Sequence, residues 1–239
     1  MFANNEIGTI QPINEIGKIA KKHKVAFHTD CVQAIGNIKI DVKEMRIDSL
    51  SLSAHKFYGP KGIGILYVRD GINFRKFING GHQEQNKRAG TENVPGIVGL
   101  GKALELANNK LEKNNKYVYE LRQYMINELV NRIGDIKING DLEKRLPGNI
   151  SVSLKGVEAD NILTELDSKE IYISTGSACT TGSIESSHVL KAIGLTDTEA
   201  HSTIRISIGK NNTKEEIDIV IKELERIVKK LRKLSVLYN

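Results

Sequence analysis

Two side chains that could perform carboxylate and amine chemistry follow neighbouring strand-like segments of the sequence. Asp30 ends the segment VAFHTD, and Lys56 follows IDSLSLSAH, directly before a glycine-rich turn. α/β proteins bind ligands at the carboxyl edge of a buried sheet, so a carboxylate at that edge indicates a ligand site. Taken alone, however, Asp30 is more simply explained as the cap of the helix that follows it. A lysine in the place of Lys56 is solvated, binds phosphate, or forms a Schiff base with an aldehyde when a carboxylate lies near.

The pairing of these two groups predicts a particular cofactor. Pyridoxal phosphate (PLP) acts as an electron sink only while its ring nitrogen stays protonated, which a facing carboxylate ensures, and an amine attaches its aldehyde. Asp30 and Lys56 match those two tasks. The same stretch supplies Gln33, Ser53 and His55, so several polar side chains are predicted to meet near one edge of a sheet.

The two cysteines have opposite surroundings in the sequence. Cys31 is followed by Val32, Ala34 and Ile35, which predicts a buried structural thiol. Cys179 lies in GSACTTG, whose small polar residues cannot build a core and therefore predict an exposed loop. Because an exposed thiol is a liability unless it is used, Cys179 is the predicted nucleophile. A free thiol has a pKa of about 8.5 and needs an activating group, which the sequence does not identify.

Arg205 stands in STIRISIG, where the three isoleucines occupy one face of a predicted strand and Arg205 the other. Its planar guanidinium fits an amino-acid carboxylate in bidentate fashion; the alternative is an edge-strand arginine paired with a surface acid. Three histidines, His82, His188 and His201, stay ambiguous between proton transfer and ordinary capping or packing. Their spacing does not resemble that of a zinc site.

These residues require a framework of helices and strands. Over the first hundred residues, helix-like IGKIAKKHK precedes the strand-like segments VAFHTD, IDSLSLSAHK and GIGILYVRD, a pattern typical of an α/β layer with a buried, mainly parallel sheet. From Pro95 the sequence predicts two long amphipathic helices, VPGIVGLGKALELANN and KYVYELRQYMINELVNRIG. The apolar residues of the second recur at helical spacing and are predicted to be core: Leu121, Tyr124, Met125, Leu129 and Val130.

A second α/β region follows. NISVSL and STIRISIG are predicted strands, ADNILTELDSK is a predicted helix, and a final helix runs from Thr213 toward Leu234. Thr213 can form a capping box with Glu216. An apolar stripe follows at helical spacing: Ile217, Val220, Ile221, Leu224, Ile227, Val228 and Leu231. We therefore predict a domain boundary near residue 105, between domains 1–105 and 106–239.

Composition narrows the classes of function. The chain has 239 residues, of which 39% are hydrophobic and 27% charged, as in globular proteins. No apolar stretch approaches the roughly 18 residues that cross a bilayer, and no secretion signal is recognisable. Membrane insertion is therefore not expected. The net charge of +6 comes from basic residues interleaved with acids, so nucleic-acid binding is not expected either. Two distant cysteines form neither a disulfide framework nor a metal pair, which favours a cytoplasmic location.

Five motifs together resemble those of a known family. ANNEIG at 3–8, HTDCVQ at 28–33, SAHKFYGPKGIG at 53–64, RAGTEN at 88–93 and ISTGSACTTGS at 173–183 are similar, in order and spacing, to motifs of the cysteine desulfurases, members of the class V aminotransferase family. The likeness extends through the chain to its C-terminal helix. It is specific to the branch that supplies sulfur for iron–sulfur clusters.

The resemblance implies a fold and a division of roles. The fold is that of a fold type I PLP-dependent transferase, with 1–105 as the C-terminal part of the large cofactor-binding domain and 106–239 as a smaller C-terminal α/β domain that carries the cysteine loop. By resemblance, Lys56 forms the Schiff base with the cofactor, Asp30 pairs with its pyridine nitrogen, and Gln33 and Asn5 contact its ring oxygen. Ser53 and His55 bind its phosphate, and Thr91 reaches the phosphate of the neighbouring subunit. The resemblance further implies that Arg205 and Asn5 bind the substrate and that Cys179 receives the sulfur.

The implied activity is the conversion of L-cysteine to L-alanine, with sulfur carried as a persulfide on Cys179. A homodimer would deliver it to a sulfur acceptor or iron–sulfur scaffold protein, with Cys179 as a transient cluster ligand. The family pattern also includes an N-terminal portion before ANNEIG, with a phosphate loop and a histidine stacked on the cofactor ring, which this sequence does not contain. Two alternatives stay open: selenocysteine lyase or another class V aminotransferase, and an inactive, truncated remnant that at most dimerises or binds a scaffold.

Overall fold

A computed structural model describes residues 1–176 and 186–235 of the chain. The chain divides into two compact units. The first consists of Met1–Ala3 and Gln11–Leu111, and the second of Asn4–Ile10 and Glu112–Asn239. The short segment Asn4–Ile10 therefore belongs to the unit formed by the C-terminal half, which the sequence pattern did not predict. The division at residue 105, and the roles assigned to the two domains, stay predictions.

The first unit is built on a three-stranded mixed sheet. Its elements are α1 (Ile13–Lys22), β1 (His28–Asp30), β2 (Ser49–Ser53), a 3-10 helix (Ala54–Phe57), β3 (Gly64–Val68), the single turn α2 (Gln83–Asn86) and α3 (Val94–Asn109). β1 pairs in parallel with β2, and β2 pairs antiparallel with β3. In β2 the alternation of side chains buries Leu50 and Leu52 and leaves the serines on the opposite face partly exposed.

β1 is shorter than the predicted strand VAFHTD. Val25 is exposed and donates its N–H to the carbonyl of Ala20, so it belongs to the turn that follows α1. Phe27 donates its N–H to a carboxylate oxygen of Asp48 at 2.9 Å. Because neither N–H pairs with a neighbouring strand, the strand begins only at His28.

The second unit is built on a four-stranded antiparallel sheet with the strand order β4, β5, β7, β6. Its strands are β4 (Ile136–Ile138), β5 (Asn149–Leu154), β6 (Ser174–Thr175) and β7 (Thr203–Ser207). Its helices are α4 (Leu111–Arg132), α5 (Ala159–Asp167), α6 (His188–Ala192), α7 (Asp197–His201) and α8 (Lys214–Leu234). Every residue of the central strand β5 is buried, on both faces of the sheet.

The core of this unit joins the isoleucine face of β7 and the apolar face of β5 to α4, α5 and α8. The predicted capping box of α8 is confirmed, because Thr213 Oγ1 accepts the N–H of Glu216 while the Glu216 carboxylate accepts that of Thr213. In α4, Leu121, Met125 and Leu129 are buried as predicted.

The prediction for Val130 is wrong, since this side chain is 54% exposed. It follows Leu129 directly and so lies about 100° around the helix from the buried stripe. Tyr124 packs against the core from its edge, and its hydroxyl donates to Asp218, which raises the pKa of Tyr124 to about 12. Within 1–176 and 186–235, no helix is long and apolar enough to span a bilayer.

Candidate active site

The predicted cofactor residues of the first unit follow the parallel strands β1 and β2. Asp30, at the end of β1, lies opposite Ser51, so the carboxyl ends of both strands reach the same edge of the sheet. Ser53 ends β2, and His55 and Lys56 lie in the 3-10 helix that follows it directly. The register of two strands thus brings four predicted site residues to one edge.

Only one oxygen of the Asp30 carboxylate accepts a hydrogen bond from the described residues of its own unit. Its Oδ1 accepts the N–H of Val32 at 2.8 Å, which is the local capping role that the sequence allowed. Its Oδ2 makes no hydrogen bond among the residues that the structure describes. Gln33 lies half-buried in the following turn, where its carbonyl accepts from the Asn37 side chain at 3.1 Å. One oxygen of Asp30 therefore remains available to a ligand.

Cys31 is fully buried, as predicted, and its N–H donates to the carbonyl of Ser51 at 2.8 Å. Burial, and next the negative charge of Asp30, raise the pKa of the Cys31 thiol to about 12. The thiol consequently stays protonated at neutral pH and is a packing group.

Ser53, His55 and Lys56 present hydroxyl, imidazole and amine groups in succession. Ser53 Oγ and His55 Nδ1 lie 2.9 Å apart, and the rings and chains of His55 and Lys56 are exposed. The 3-10 helix ends at Tyr58, whose φ of 68° is left-handed. In the part of the chain that the structure describes, the Lys56 ammonium forms no ion pair, so its amine is not committed to a structural role.

Thr91 is exposed in the loop just before α3. Asn93 caps that helix by accepting the N–H of Gly96 at 3.2 Å. The first turns of α3 leave Val94 and Val98 exposed, at 59% and 66%. Thr91 therefore stands beside an uncovered apolar helix face.

In the second unit, Arg205 of β7 lies opposite Ser151 of β5 and Ser174 of β6, on the polar face of the sheet. Its Nη1 donates to the carbonyl of Asn5 at 3.1 Å. Its Nε is buried and has no hydrogen-bond partner among the described residues. A buried donor without a partner is costly, so this guanidinium is suited to an anionic ligand.

Several contacts fix the segment Asn4–Ile10 that carries Asn5. Asn149 Nδ2 donates to the Glu6 carbonyl at 3.2 Å, and Thr9 forms a bridge with Arg145. Arg145 also donates to the carbonyls of Asp141 and Asn139; its burial, and next the nearby positive charge of Arg122, lower the pKa of Arg145 to about 10. The Glu6 carboxylate, finally, accepts from the Ser187 hydroxyl at 2.5 Å.

Sequence reasoning missed Glu6, Ser187 and Asn149. The available signal was the place of Glu6 directly after Asn5 in ANNEIG, a motif in which only Asn5 was assigned a role. Ser187 and Asn149 carry no local signal, because their partners lie 181 and 143 residues away along the chain.

The remaining predicted groups divide as follows. Cys179, the predicted nucleophile and transient cluster ligand, lies outside the described residues. His82 contacts Asn86 and His201 contacts Ser186, each at 3.2 Å, while His188 begins α6. Neither range, 1–176 or 186–235, contains a group of three side chains that could hold a metal ion.

Comparison with known proteins decides the family. Residues 1–220 match the Aminotransferase class-V family. The chain belongs to this family. A cysteine desulfurase IscS of Clostridium botulinum strain Hall is 51% identical over 241 residues, which cover 100% of this chain and 61% of that protein. A cysteine desulfurase IscS of Dictyoglomus turgidum is 52% identical over 235 residues, covering 98% of this chain and 60% of that protein.

A solved NifS-like protein is similar in structure, with a TM-score of 0.88 and 40% sequence identity over 96% of this class V chain and 60% of its own. The predicted fold class is thereby confirmed as the α/β fold of PLP-dependent transferases of fold type I. The chain spans about 60% of the length of these relatives. Members of the class V family generally depend on PLP.

Proposed function

We propose that this chain acts as a PLP-dependent cysteine desulfurase, which converts L-cysteine to L-alanine and carries the sulfur as a persulfide on Cys179. The observation that supports this most is the meeting of Asp30, Ser53, His55 and Lys56 at the carboxyl edge of β1 and β2. Relatives that share about half of its residues are cysteine desulfurases by name.

The residues at this edge fit PLP. The Ser53 hydroxyl and the His55 imidazole, 2.9 Å apart, suit a phosphate group. Lys56, whose amine is exposed, would attach the aldehyde, and the free oxygen of Asp30 would accept the ring N–H. When bound, the cofactor supplies an electron sink that stabilises negative charge on the carbon atoms of the substrate.

Substrate recognition is proposed for Arg205 together with Asn5. The unpartnered Nε of Arg205 and its second terminal nitrogen form a fork that matches a carboxylate. The Asn5 carbonyl orients this fork by accepting from Nη1 at 3.1 Å. The Asn5 and Gln33 side chains are proposed to address the ring oxygen of the cofactor.

The sulfur step is proposed for Cys179. Its thiolate attacks the substrate sulfur, so that an S–S bond forms while the carbon–sulfur bond of the substrate breaks. The electron pair of the broken bond stays on carbon, which takes up a proton to give alanine, and Cys179 is left as a persulfide. Cys31 cannot replace it, because a buried thiol with a pKa of about 12 supplies almost no thiolate at neutral pH.

We propose a homodimer with shared sites. Thr91, assigned to the phosphate of the neighbouring subunit, stands beside the exposed apolar face that begins α3 at Val94, Ile97 and Val98. An apolar helix face of this kind is stabilised when a second copy covers it. The dimer would pass sulfur in the cytoplasm to an acceptor or iron–sulfur scaffold protein, with Cys179 as a transient cluster ligand.

The first test asks whether PLP attaches covalently to Lys56. The purified chain is mixed with PLP and reduced with borohydride, and the modified lysine is located by mass spectrometry. We expect attachment at Lys56, its loss in Lys56→Ala, and no change in Lys61→Ala, which removes an exposed lysine from the following turn. Incubation of the loaded protein with L-cysteine should then yield alanine and an added sulfur atom on Cys179.

Other outcomes favour the alternatives. Sulfide release from cysteine that persists in Cys179→Ala would contradict the persulfide step. Release of selenide from selenocysteine, without turnover of cysteine, would identify a selenocysteine lyase. A chain that attaches no cofactor at Lys56 yet dimerises or binds a scaffold would be an inactive remnant.

A further inference from the structure

Glu6 is a buried carboxylate for which neither the family assignment nor the proposed reaction gives a role. Its residue is 7% exposed, and no lysine or arginine pairs with it in the part of the chain that the structure describes. Burial of a carboxylate without a cation is costly unless hydrogen bonds compensate for the lost water. The compensation comes from the Ser187 hydroxyl, which donates to Glu6 Oε2 at 2.5 Å.

Two residues near this carboxylate, Gly176 and Ser187, precede and follow the segment 177–185 in the sequence. Ser187 follows the segment and caps α6 by accepting the N–H of Leu190 at 3.3 Å. Gly176 precedes it, and a Cβ placed on Gly176 would lie 3.7 Å from Glu6 Oε2 and 2.8 Å from Leu190 Cδ1. Glu6 therefore bonds to Ser187 and lies near Gly176, two described residues on either side of the segment that contains Cys179.

Through its backbone, Glu6 is joined to Asn5, which is proposed to recognise the substrate together with Arg205. Asn5, the preceding residue, accepts from Arg205 through its carbonyl. The backbone on either side is restrained, because Asn4 Oδ1 accepts the N–H groups of Glu6 and Ile7, at 2.8 and 3.0 Å. A displacement of the Glu6 side chain would be passed to Asn5 through one rigid turn.

We infer that Glu6 is a positioning residue, whose hydrogen bond to Ser187 keeps the ends of the Cys179 segment in a constant place relative to the Asn5 carbonyl and Arg205. The inference rests on the proposed function, since it gives Glu6 the task of aligning the sulfur acceptor with the bound substrate. It predicts that the hydrogen bond matters and that the negative charge does not.

The test compares four variants of the full chain loaded with PLP. Glu6→Ala should lower kcat/KM for L-cysteine about tenfold, the order expected for loss of one buried hydrogen bond. Ser187→Ala should do the same, and the double variant should lose no more, because both remove a single interaction. Glu6→Gln keeps an acceptor oxygen and should stay within about twofold of wild type. Glu216→Gln, the same change in the capping box of α8, should have no effect on kcat/KM.

A second readout needs no cofactor. Iodoacetamide alkylation of Cys179 is followed by mass spectrometry in the PLP-free chain, with buried Cys31 as the unreactive internal reference. Glu6→Ala and Ser187→Ala should speed alkylation of Cys179 about threefold or more, and Glu6→Gln should not, if the hydrogen bond restrains the segment ends. Thermal midpoints of all variants separate this effect from general loss of stability.

The outcomes distinguish the two proposals. If wild type produces alanine and persulfide while Glu6→Ala matches Glu216→Gln in both readouts, the role of Glu6 is overturned and the proposed function stands. If wild type produces neither, the proposed function fails, and the alkylation rates still decide the role of Glu6. An effect of Glu6→Gln as large as that of Glu6→Ala would assign the effect to charge and contradict the inference.

Discussion

The buried thiol of Cys31 makes stability depend on pH in a defined direction. The pKa of this thiol is about 12 in the folded chain, against about 8.5 to 9 for a free thiol. Between these two values the unfolded chain releases a proton that the folded chain keeps, so the free energy of unfolding falls as the pH rises from 9 toward 12. At pH 10 the cost from this one group is on the order of 1 kcal/mol.

Urea unfolding at pH 8 and pH 10 measures this cost. The loss of stability between the two pH values should be smaller in Cys31→Ala than in wild type, although other groups titrate in the same range in both proteins. Equal losses in the two proteins would show that the thiol is not the group that responds.

Arg205 sets the affinity for the substrate if its guanidinium binds the carboxylate. Arg205→Lys keeps the charge but loses the fork, and the KM for L-cysteine should rise roughly 10-fold to 100-fold, as for a lost hydrogen bond between charged groups. The matched control is Arg226→Lys, which changes an exposed arginine of α8 that pairs with Glu223 of the same helix and with Glu165 of α5. Steady-state kinetics of the loaded protein check both, and a KM unchanged in Arg205→Lys would contradict the assignment.

At the residue scale, sequence patterns predicted what depends on near neighbours. The burial of Cys31 and the opposition of Arg205 to the isoleucines follow from apolar neighbours and from the two-residue period of a strand. The bond between Glu6 and Ser187 joins residues 181 positions apart, and nothing local in either motif encodes it. The roles assigned to all the site residues stay predictions, and those of Asn5 and Thr91 rest on resemblance alone.

Among the elements, α8 owes part of its stability to its first turn. Thr213 and Glu216 exchange two hydrogen bonds that satisfy N–H groups left free at the helix start. Thr213→Ala should lower the free energy of unfolding by about 1 kcal/mol, whereas Thr213→Ser should lower it by a few tenths at most. Chemical denaturation of both variants checks this, and equal losses would assign the effect to the methyl group.

The elements themselves were largely predictable. α3, β5 and α8 have the bounds that periodicity and capping residues predict, because each is long enough for its pattern to stand out. The exceptions have local causes: Val25 of VAFHTD belongs to the turn that follows α1, and Val130 lies one position beyond a buried stripe. Sequence alone could not show that Asn4–Ile10 packs with the C-terminal half, since that depends on contacts with Arg145 and Asn149.

At the scale of the whole molecule, the proposed homodimer depends on the exposed face of α3. Val98 is 66% exposed there, one helical turn beyond Val94. Val98→Asp places a charge in the proposed interface and should shift the protein toward the 26.5 kDa monomer in sedimentation equilibrium. Because Thr91 is assigned to the partner's cofactor, PLP binding should weaken in parallel. Val130→Asp, on an exposed site of α4, is the matched control; a dimer unaffected by Val98→Asp would exclude this face.

The central strand β5 also determines how the second unit opens. It is buried along its whole length and pairs with a strand on each side, β4 and β7. Because successive amides of a central antiparallel strand point to opposite neighbours, exposing all of them to solvent deuterium requires both neighbours to separate, which goes beyond a local fluctuation. The amides of Val152 and Ser153, which point to opposite neighbours, should therefore be among the slowest to exchange in this unit, and together their exchange should report the opening of the sheet as a whole.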